Sequence, residues 1–511
     1  MMMGLFRADG SLVAALSILA TLAASSSAEP KPSGSPGLVI VIEGLRPESL
    51  TPSLMPNLHS LSKRGFTFNN HHAVFPTVAI VNAASITTGA YPSTHGLLGN
   101  TILVHEIDAI AQFDTREIHT LEEIQDATDG RLLTTPSLAG ILETRNKKLL
   151  VVSSGAPGTA FVLNPQQLGG GIIHPDFTRP ESLANDVMAT LGPAPQGESA
   201  RGPRDAWAVD AYLDVGLAQI KPDLAILWLV GPELTQAEAG LGAPQSIQAI
   251  REVDELIGRV LQRHKKLRLK VNVFVTSDRG ISTRIGGENL SRFLVTEGLK
   301  AGQNSQDVVV LDNASIFVED HNRTRIREIV QRLQRQDWVG ALYTQQARRT
   351  HPESFVPGAL SFQAVYMDHQ RAPDILVEPS WPDDRNEQDD PGTTRGYDKA
   401  GGGSSSPYDL RTLLVAAGPD IKRGAKSMVP TAHFDLAPTL CFLQGIEPPT
   451  TMDGRVLLEA LRGGPKPESL EVLRRRHGSQ TTWDGGGYRL IMTELSVDGV
   501  DYLDSTIVER K

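Results

Sequence analysis

The chain has 511 residues, 40% hydrophobic and 21% charged, a balance that suits a globular protein and a length that allows one large α/β core with insertions or more than one domain. Lys+Arg 49 against Asp+Glu 59 gives a net charge of −10, and no long basic stripe is present, which argues against nucleic acid as a partner. The single cysteine, Cys441, excludes an internal disulfide, so stability must come from a large core.

In chain order, Arg7 precedes an apolar run from Leu12 to Ala24, and "SSSAEP" follows, with small residues Ser26 and Ala28 at a cleavage position. This reads as a secretory signal peptide over residues 1–28, with a membrane anchor as the lesser reading; the run is too short to span a bilayer. The expected location is therefore extracellular or the lumen of the secretory pathway. No later stretch is long and apolar enough for a membrane span, and oligomeric state is left open. Asn289, Asn313 and Asn322 each begin an N-x-S/T triplet and are candidate glycosylation acceptors.

"GLVIVIEG" (Gly37–Gly44) has the unbroken apolar pattern of a strand buried on both faces. "MPNLHSLSKRG" follows as a helix, with Pro56 near its start and Gly65 as its stop. "AVFPTVAIVNAASITTGAYPSTHG" (Ala73–Gly96) reads as a turn at Pro76 and Thr77 feeding a helix that Gly89 closes. Leu149–Ser154, Leu224–Val230 and Val271–Ser277 are further buried-strand runs, and between the last two Ile247, Ile250, Val253, Ile257 and Val260 recur at helical spacing. Such strand–helix–strand units predict a parallel sheet covered on both faces. Residues 380–406, polar and rich in Gly and Ser, read as a long surface loop. Thr412–Gly418 resumes the sheet, "HFDLAPTLCFLQG" is a helix ended by Gly445, and Asp498-Gly499 turns a C-terminal β-hairpin.

Ligands of open α/β sheets sit beyond the carboxyl ends of the strands. Glu43, Glu233 and Asp278 each follow a strand run, which makes them candidates for one pocket; the competing account is that helix N-termini favour acids there.

With these segments in place, the sequence resembles the type I phosphodiesterase/nucleotide pyrophosphatase family of the alkaline phosphatase superfamily. The resemblance is carried by "VIVIEGLRPESLTPSLMPNLHSLSKRGFTF", "FPTVAIVNAASITTGAYPSTHGLLGN", "WLVGPELTQAEAGLG", "VTSDRG", "RGYDKA", "LLVAAGPDIKRG" and "VPTAHFDLAPTL", in family order from Gly37 to about Ala460. It implies an alkaline-phosphatase-like α/β domain over residues 37–460, a largely parallel sheet between helix layers. Residues 461–511 are then a C-terminal extension holding the hairpin and packed on the same domain.

The family's hydrolysis uses a threonine nucleophile and two zinc ions held by aspartates and histidines. Here the resemblance places Glu43 at the first aspartate, Ala79 at the nucleophile, Glu233 at a second acid, Ala237 and Arg279 at two histidines, and Arg395, on the shortest motif, at a third. Asp278 is kept, and Asn82 matches an asparagine that holds a phosphate oxygen. Thr77 carries a hydroxyl two positions before the nucleophile position, a displacement that moves it off the reacting line. His71 and His72 are expected in a loop, and His95 as a structural residue. No zinc is expected, since neither site reaches the three or four ligands zinc requires.

Family geometry implies that Arg279 lies by Glu43 and Asp278 and Arg395 by Glu233, the guanidinium fork replacing the lost metal charge; the competing account is two surface arginines in rebuilt loops, which stays open for Arg395. Acids so paired are expected to have depressed pKa values. Two functional readings follow. One is a pseudoenzyme that keeps the fold, has lost two-zinc hydrolysis, and binds a small phosphorylated or carboxylated ligand or plays a structural part. The alternative is a hydrolase of phosphodiesters or related substrates, working with a hard cation such as Mg2+ or Ca2+ or with acid/base groups alone.

Overall fold

A computed structural model describes residues 30–511 except 109, 198–200, 313 and 348–351. Residues 1–28, expected as a signal peptide, and Asn313 therefore lie outside the described residues.

The centre is a ten-stranded sheet. From one edge its order is Ala425–Ser427, Phe66–His72, Arg411–Ala417, Asn272–Ser277, Gly37–Ile42, Leu224–Leu229, Leu149–Ser153, Gly171–Ile173 and Thr178–Arg179, with Thr431–Ala432 also on Phe66–His72. Gly37–Ile42 runs parallel to both neighbours, in register from Gly37 opposite Leu224 and Asn272 to Ile42 opposite Leu229 and Ser277. Arg411–Ala417 is antiparallel to Asn272–Ser277 and to Phe66–His72, so the sheet is largely rather than wholly parallel.

Alternation along the central strand explains the unbroken apolar run. Leu38, Ile40 and Ile42 pack with Leu58, Val253 and Ile257 on one face, whereas Val39 and Val41 pack with Ile80, Val81 and Phe161 on the other. The first face is covered by the helices Pro56–Arg64 and Pro244–Lys266, the second by Ala79–Thr88 and Pro157–Leu163.

The expected helices are present, with instructive stops. Gly89 ends Ala79–Thr88 in the left-handed conformation, φ 68°, its N–H donating to Ser85 O. Gly65 ends Pro56–Arg64 at φ −109°, so handedness does not require it. A Cβ at Gly65 would lie 2.2 Å from Ala416 O. The glycine is there to let a strand pass, not to turn the chain.

Three features depart from the sequence reading. His71 and His72 are not in a loop but are the last residues of the strand Phe66–His72, both buried, because Arg411–Thr412 and Thr431–Ala432 pair with them. The C-terminal hairpin Gly486–Val497/Val500–Arg510 gains a third antiparallel strand, Leu473–Trp483. Its turn residues Asp498 and Gly499 both have positive φ, 52° and 80°, as the tight turn demands. Between residues 308 and 379 lies a separate five-stranded sheet, Val308–Val310, Ser315–Val318, Ile375–Pro379, Val339–Thr344 and Leu360–Ser361, which the sequence pattern did not reveal. The C-terminal strands pack against it, Tyr488 OH donating to Gly340 O at 2.8 Å.

Among the described residues no helix is long and apolar enough to cross a membrane. Asn289 and Asn322 are exposed and cap helices: Asn289 Oδ1 accepts from Arg292 N, and Asn322 Oδ1 from Thr324 N and Arg325 N.

Candidate functional site

Glu43, Glu233 and Asp278 do meet at the carboxyl edge of the sheet. Gly44 N–H donates to Asp278 Oδ1 at 2.9 Å, tying the ends of two parallel strands. Gly44 has φ 63°, and a Cβ there would lie 2.7 Å from Glu233 Cγ, so both its conformation and its contact exclude a side chain. Glu233 stands in the first turn of the helix Gly231–Ala239.

Arg279 reaches across this cluster. Its Nη1 donates to Asp278 Oδ2, and its Nη2 donates to Glu233 Oε1 at 2.7 Å. Arg279 is 7% exposed and Asp278 fully buried. The bridging role is therefore present, but its second acid is Glu233 rather than Glu43. Glu43 Oε1 instead accepts from Trp228 Nε1 at 2.5 Å, because register places Trp228 beside Val41 on the adjacent strand. The sequence reading missed Trp228; an indole in an otherwise aliphatic buried run, needing a partner for its N–H, was the available signal.

Arg395 does not pair with Glu233. It is half-buried, makes no ion pair among the described residues, and lines an adjoining hollow of about 430 Å³ with Phe75, Trp338 and Tyr397. The preceding Thr393–Thr394 pairs with Thr283–Arg284, and this directs the segment away from the acids.

The expected depression of the carboxyl pKa values is overturned for Glu43 and Asp278. Burial drives Glu43 well above the usual carboxylate range, and the charges of Asp278 and Glu233 add to that; Arg279 and the Trp228 N–H oppose it. Burial likewise raises Asp278, overcoming the lowering by Arg279 and the Gly44 N–H. For Arg279 burial acts to lower the pKa, but Asp278, Glu233 and Glu43 together outweigh it and hold the guanidinium above its ordinary value. Desolvation here is a larger effect than one shared cation can cancel.

Ala79 is the first residue of the helix Ala79–Thr88 and lines the same cleft, of about 550 Å³, as Glu43, Glu233 and Arg279. Thr77 and Asn82 do not present their side chains there. Thr77 is fully buried; its Oγ1 donates to Ser404 O at 2.8 Å and accepts from Gly403 N at 2.8 Å. Asn82, also fully buried, accepts from Val74 N at 2.7 Å and donates from Nδ2 to Val74 O and Val78 O, both at 3.1 Å. His433 Nδ1 lies 2.7 Å from Asn82 Oδ1, while His433 Nε2 donates to Ser277 O. Both residues fasten the turn before the helix instead of facing a ligand. Ala237 offers only its carbonyl, which accepts from Lys399 N at 2.9 Å. His95 is structural as expected, buried, with Leu97 N donating to its Nδ1 at 3.2 Å.

The segment expected as a surface loop is exposed near Asp383–Asp389, but its end folds inward, and Ser404, Ser405 and Ser406 are buried. Gly402 closes against Arg279; a Cβ there would lie 2.6 Å from Arg279 Cδ. Small residues that look like linker composition are here the means of close approach. The cleft is completed by Arg116, Arg204 and Arg284, which the sequence did not single out, each held by an acid: Asp114 at 2.7 Å, Asp176 at 2.5 Å and Asp398 at 3.2 Å.

A largely parallel sheet covered on both faces, with acids at its carboxyl edge and a helix N-terminus facing them, defines an alkaline-phosphatase-like α/β protein. The family model for type I phosphodiesterase/nucleotide pyrophosphatase matches residues 38–398, and the chain belongs to that family. It is 42% identical to a venom phosphodiesterase of Macrovipera lebetinus over 84 residues, 16% of this chain and 10% of that protein. The aligned part thus spans about a tenth of that relative. Murine ectonucleotide pyrophosphatase/phosphodiesterase 5 shares the fold with TM-score 0.56 at 18% identity, covering 81% of this chain and 96% of that one. An inactive threonine-to-alanine variant of the murine protein, in complex with AMP, matches with TM-score 0.56 at 19% identity over the same 81% and 96%.

Proposed function

We propose that this chain is a secreted member of the family that has given up two-zinc phosphoester hydrolysis and keeps its cleft for a small phosphorylated or carboxylated ligand. The observation that carries this reading is the guanidinium of Arg279 bridging Asp278 and Glu233 where the family's resemblance puts metal ligands. Zinc needs four donors, or three and a water. Both oxygens of Asp278 are engaged, by Gly44 N–H and Arg279, and Glu233 Oε1 by Arg279. Ala79 and Ala237 have no donor atom in their side chains, and arginine offers none. The residues present do not fit zinc.

Ala79 supports the second half of the proposal. The murine relative in which a threonine is replaced by alanine is described as inactive and is in complex with AMP, so losing one hydroxyl is compatible with ligand retention there. Arg116, Arg204 and Arg284 around the cleft supply cationic, hydrogen-bonding groups suited to an oxyanion. The test is elemental analysis of purified protein together with hydrolysis of bis(4-nitrophenyl) phosphate. The expected result is no stoichiometric zinc and no turnover above background, with or without added zinc. Two zincs per chain, or zinc-dependent turnover, would overturn the reading.

Secretion rests on the apolar Leu12–Ala24 run and the small residues after it. N-terminal sequencing of exported protein should begin near Glu29; a chain retaining Leu12–Ala24 would be anchored instead.

A further inference from the structure

We infer that the hollow beside the cleft is a binding site of its own, which takes a flat aromatic carboxylate, the ring against Trp338 and Tyr397 and the carboxylate on Arg395. This goes beyond the reading of the cleft. The hollow shares with the cleft a wall that includes Val78, Arg116, Arg284 and Gly402, but Glu43, Glu233 and Arg279 do not line it.

Three observations carry it. The hollow, of about 430 Å³, has the size of a small-molecule pocket, and Phe75, Trp338, Leu376 and Val377 give it apolar lining. The indole of Trp338 is half-buried and meets the ring of Phe293 edge-on, 5.4 Å between centroids, which fixes its place. Second, Arg395 is half-buried and lines the hollow, yet its guanidinium makes no ion pair or hydrogen bond among the described residues. The acids around it are engaged or turned to solvent. Asp398 pairs with Arg284 at 3.2 Å, Glu378 accepts from Tyr343 OH at 2.5 Å and Ser405 N at 2.7 Å, and Glu288 and Asp312 are exposed. Third, Tyr397 is 76% exposed but held in place. A Cβ at Gly287 would lie 2.9 Å from its Cε1, Cε2 and Cζ alike, so only a glycine lets the ring rest there. An aromatic ring gains apolar contact and stacking from such walls. A carboxylate matches one guanidinium fork charge for charge, whereas a doubly charged phosphate would need a second free cation.

Titration calorimetry of the full chain with 2-naphthoate tests this, with the neutral 2-naphthamide and with acetate as the ring-only and charge-only controls. Wild type should bind 2-naphthoate more tightly than either control. Arg395→Ala should weaken 2-naphthoate about tenfold or more, the worth of a hydrogen bond to a charged group, and leave 2-naphthamide unchanged. It should melt with wild type, since Arg395 holds no other group. Tyr397→Ala, at an exposed position, should weaken both ring compounds alike. Arg204→Ala, in the cleft only, should leave 2-naphthoate binding as it is. Wild type that shows no saturable binding of 2-naphthoate overturns the inference. So does binding that Arg395→Ala leaves intact, or binding lost through Arg204→Ala instead, which would place the compound in the cleft. Zinc or turnover found in the wild type bears on the cleft reading alone, so the two failures are separable.

Discussion

Replacing Arg279 by alanine lowers stability by about 3–5 kcal/mol near neutral pH, and the loss shrinks at acid pH. The magnitude is that of removing one member of a buried ion pair, which strands the other charges. Arg279 is 7% exposed and donates to two acids, so solvent screens little of the loss. The pH dependence follows from the raised carboxyls. Burial lifts the folded pKa of Glu43 and Asp278 above the unfolded values of roughly 4. Groups raised on folding contribute stability that is fully present below the unfolded pKa and is lost as pH rises through the folded one. Without Arg279 both carboxyls rise further, so the variant is penalised most where they would have to ionise, at neutral pH and above, and least where they are protonated. Urea unfolding of both proteins across this range provides the check. A variant as stable as wild type near pH 7 would dismiss the bridge as a stabilising contact.

Asn82→Ala should cost about 2 kcal/mol or more, since it strands Val74 N and Val74 O in a buried turn, at about 1–3 kcal/mol for each unsatisfied group, whereas Val78 O keeps the backbone N–H of residue 82. The resemblance implies a different role, holding a ligand oxygen. Denaturation and ligand binding separate the two. Lost stability with the turn loosened supports the structural role; unchanged stability with lost binding of AMP or a related phosphate would restore the family role to Asn82. Because the turn it fastens carries Ala79 into the cleft, some weakening of binding accompanies the structural loss as well.

The two arginines of the family motifs show where sequence reasoning carries and where it stops. Arg279 lies two residues past a strand whose register is fixed by the buried alternation of Asn272–Ser277 against Gly37–Ile42. Its location was legible because a strand end points to one place. Arg395 follows a two-residue strand in a segment with no hydrophobic pattern to pin it, and its partner in the sequence reading was wrong. Even for Arg279 the choice between Glu43 and Glu233 was not readable, since it depended on Trp228 taking the oxygen of Glu43 from the neighbouring strand.

The sequence by itself determined the doubly covered sheet, the helix that Gly89 closes and the tight turn at Asp498-Gly499, each from local periodicity or turn chemistry that a few neighbouring residues encode. The family was legible from the resemblance of its motifs, and the three acids were legible only as candidates for one pocket. The tertiary structure alone decided that Thr77 and Asn82 turn inward, that the Gly/Ser-rich segment packs on Arg279, and that Asp278 and Glu43 have raised rather than depressed pKa values. These depend on which groups are brought together across hundreds of residues and on how much water is excluded when they meet. Charge pairing can be guessed from motifs, but desolvation is a property of the folded surroundings, and here it outweighs the pairing.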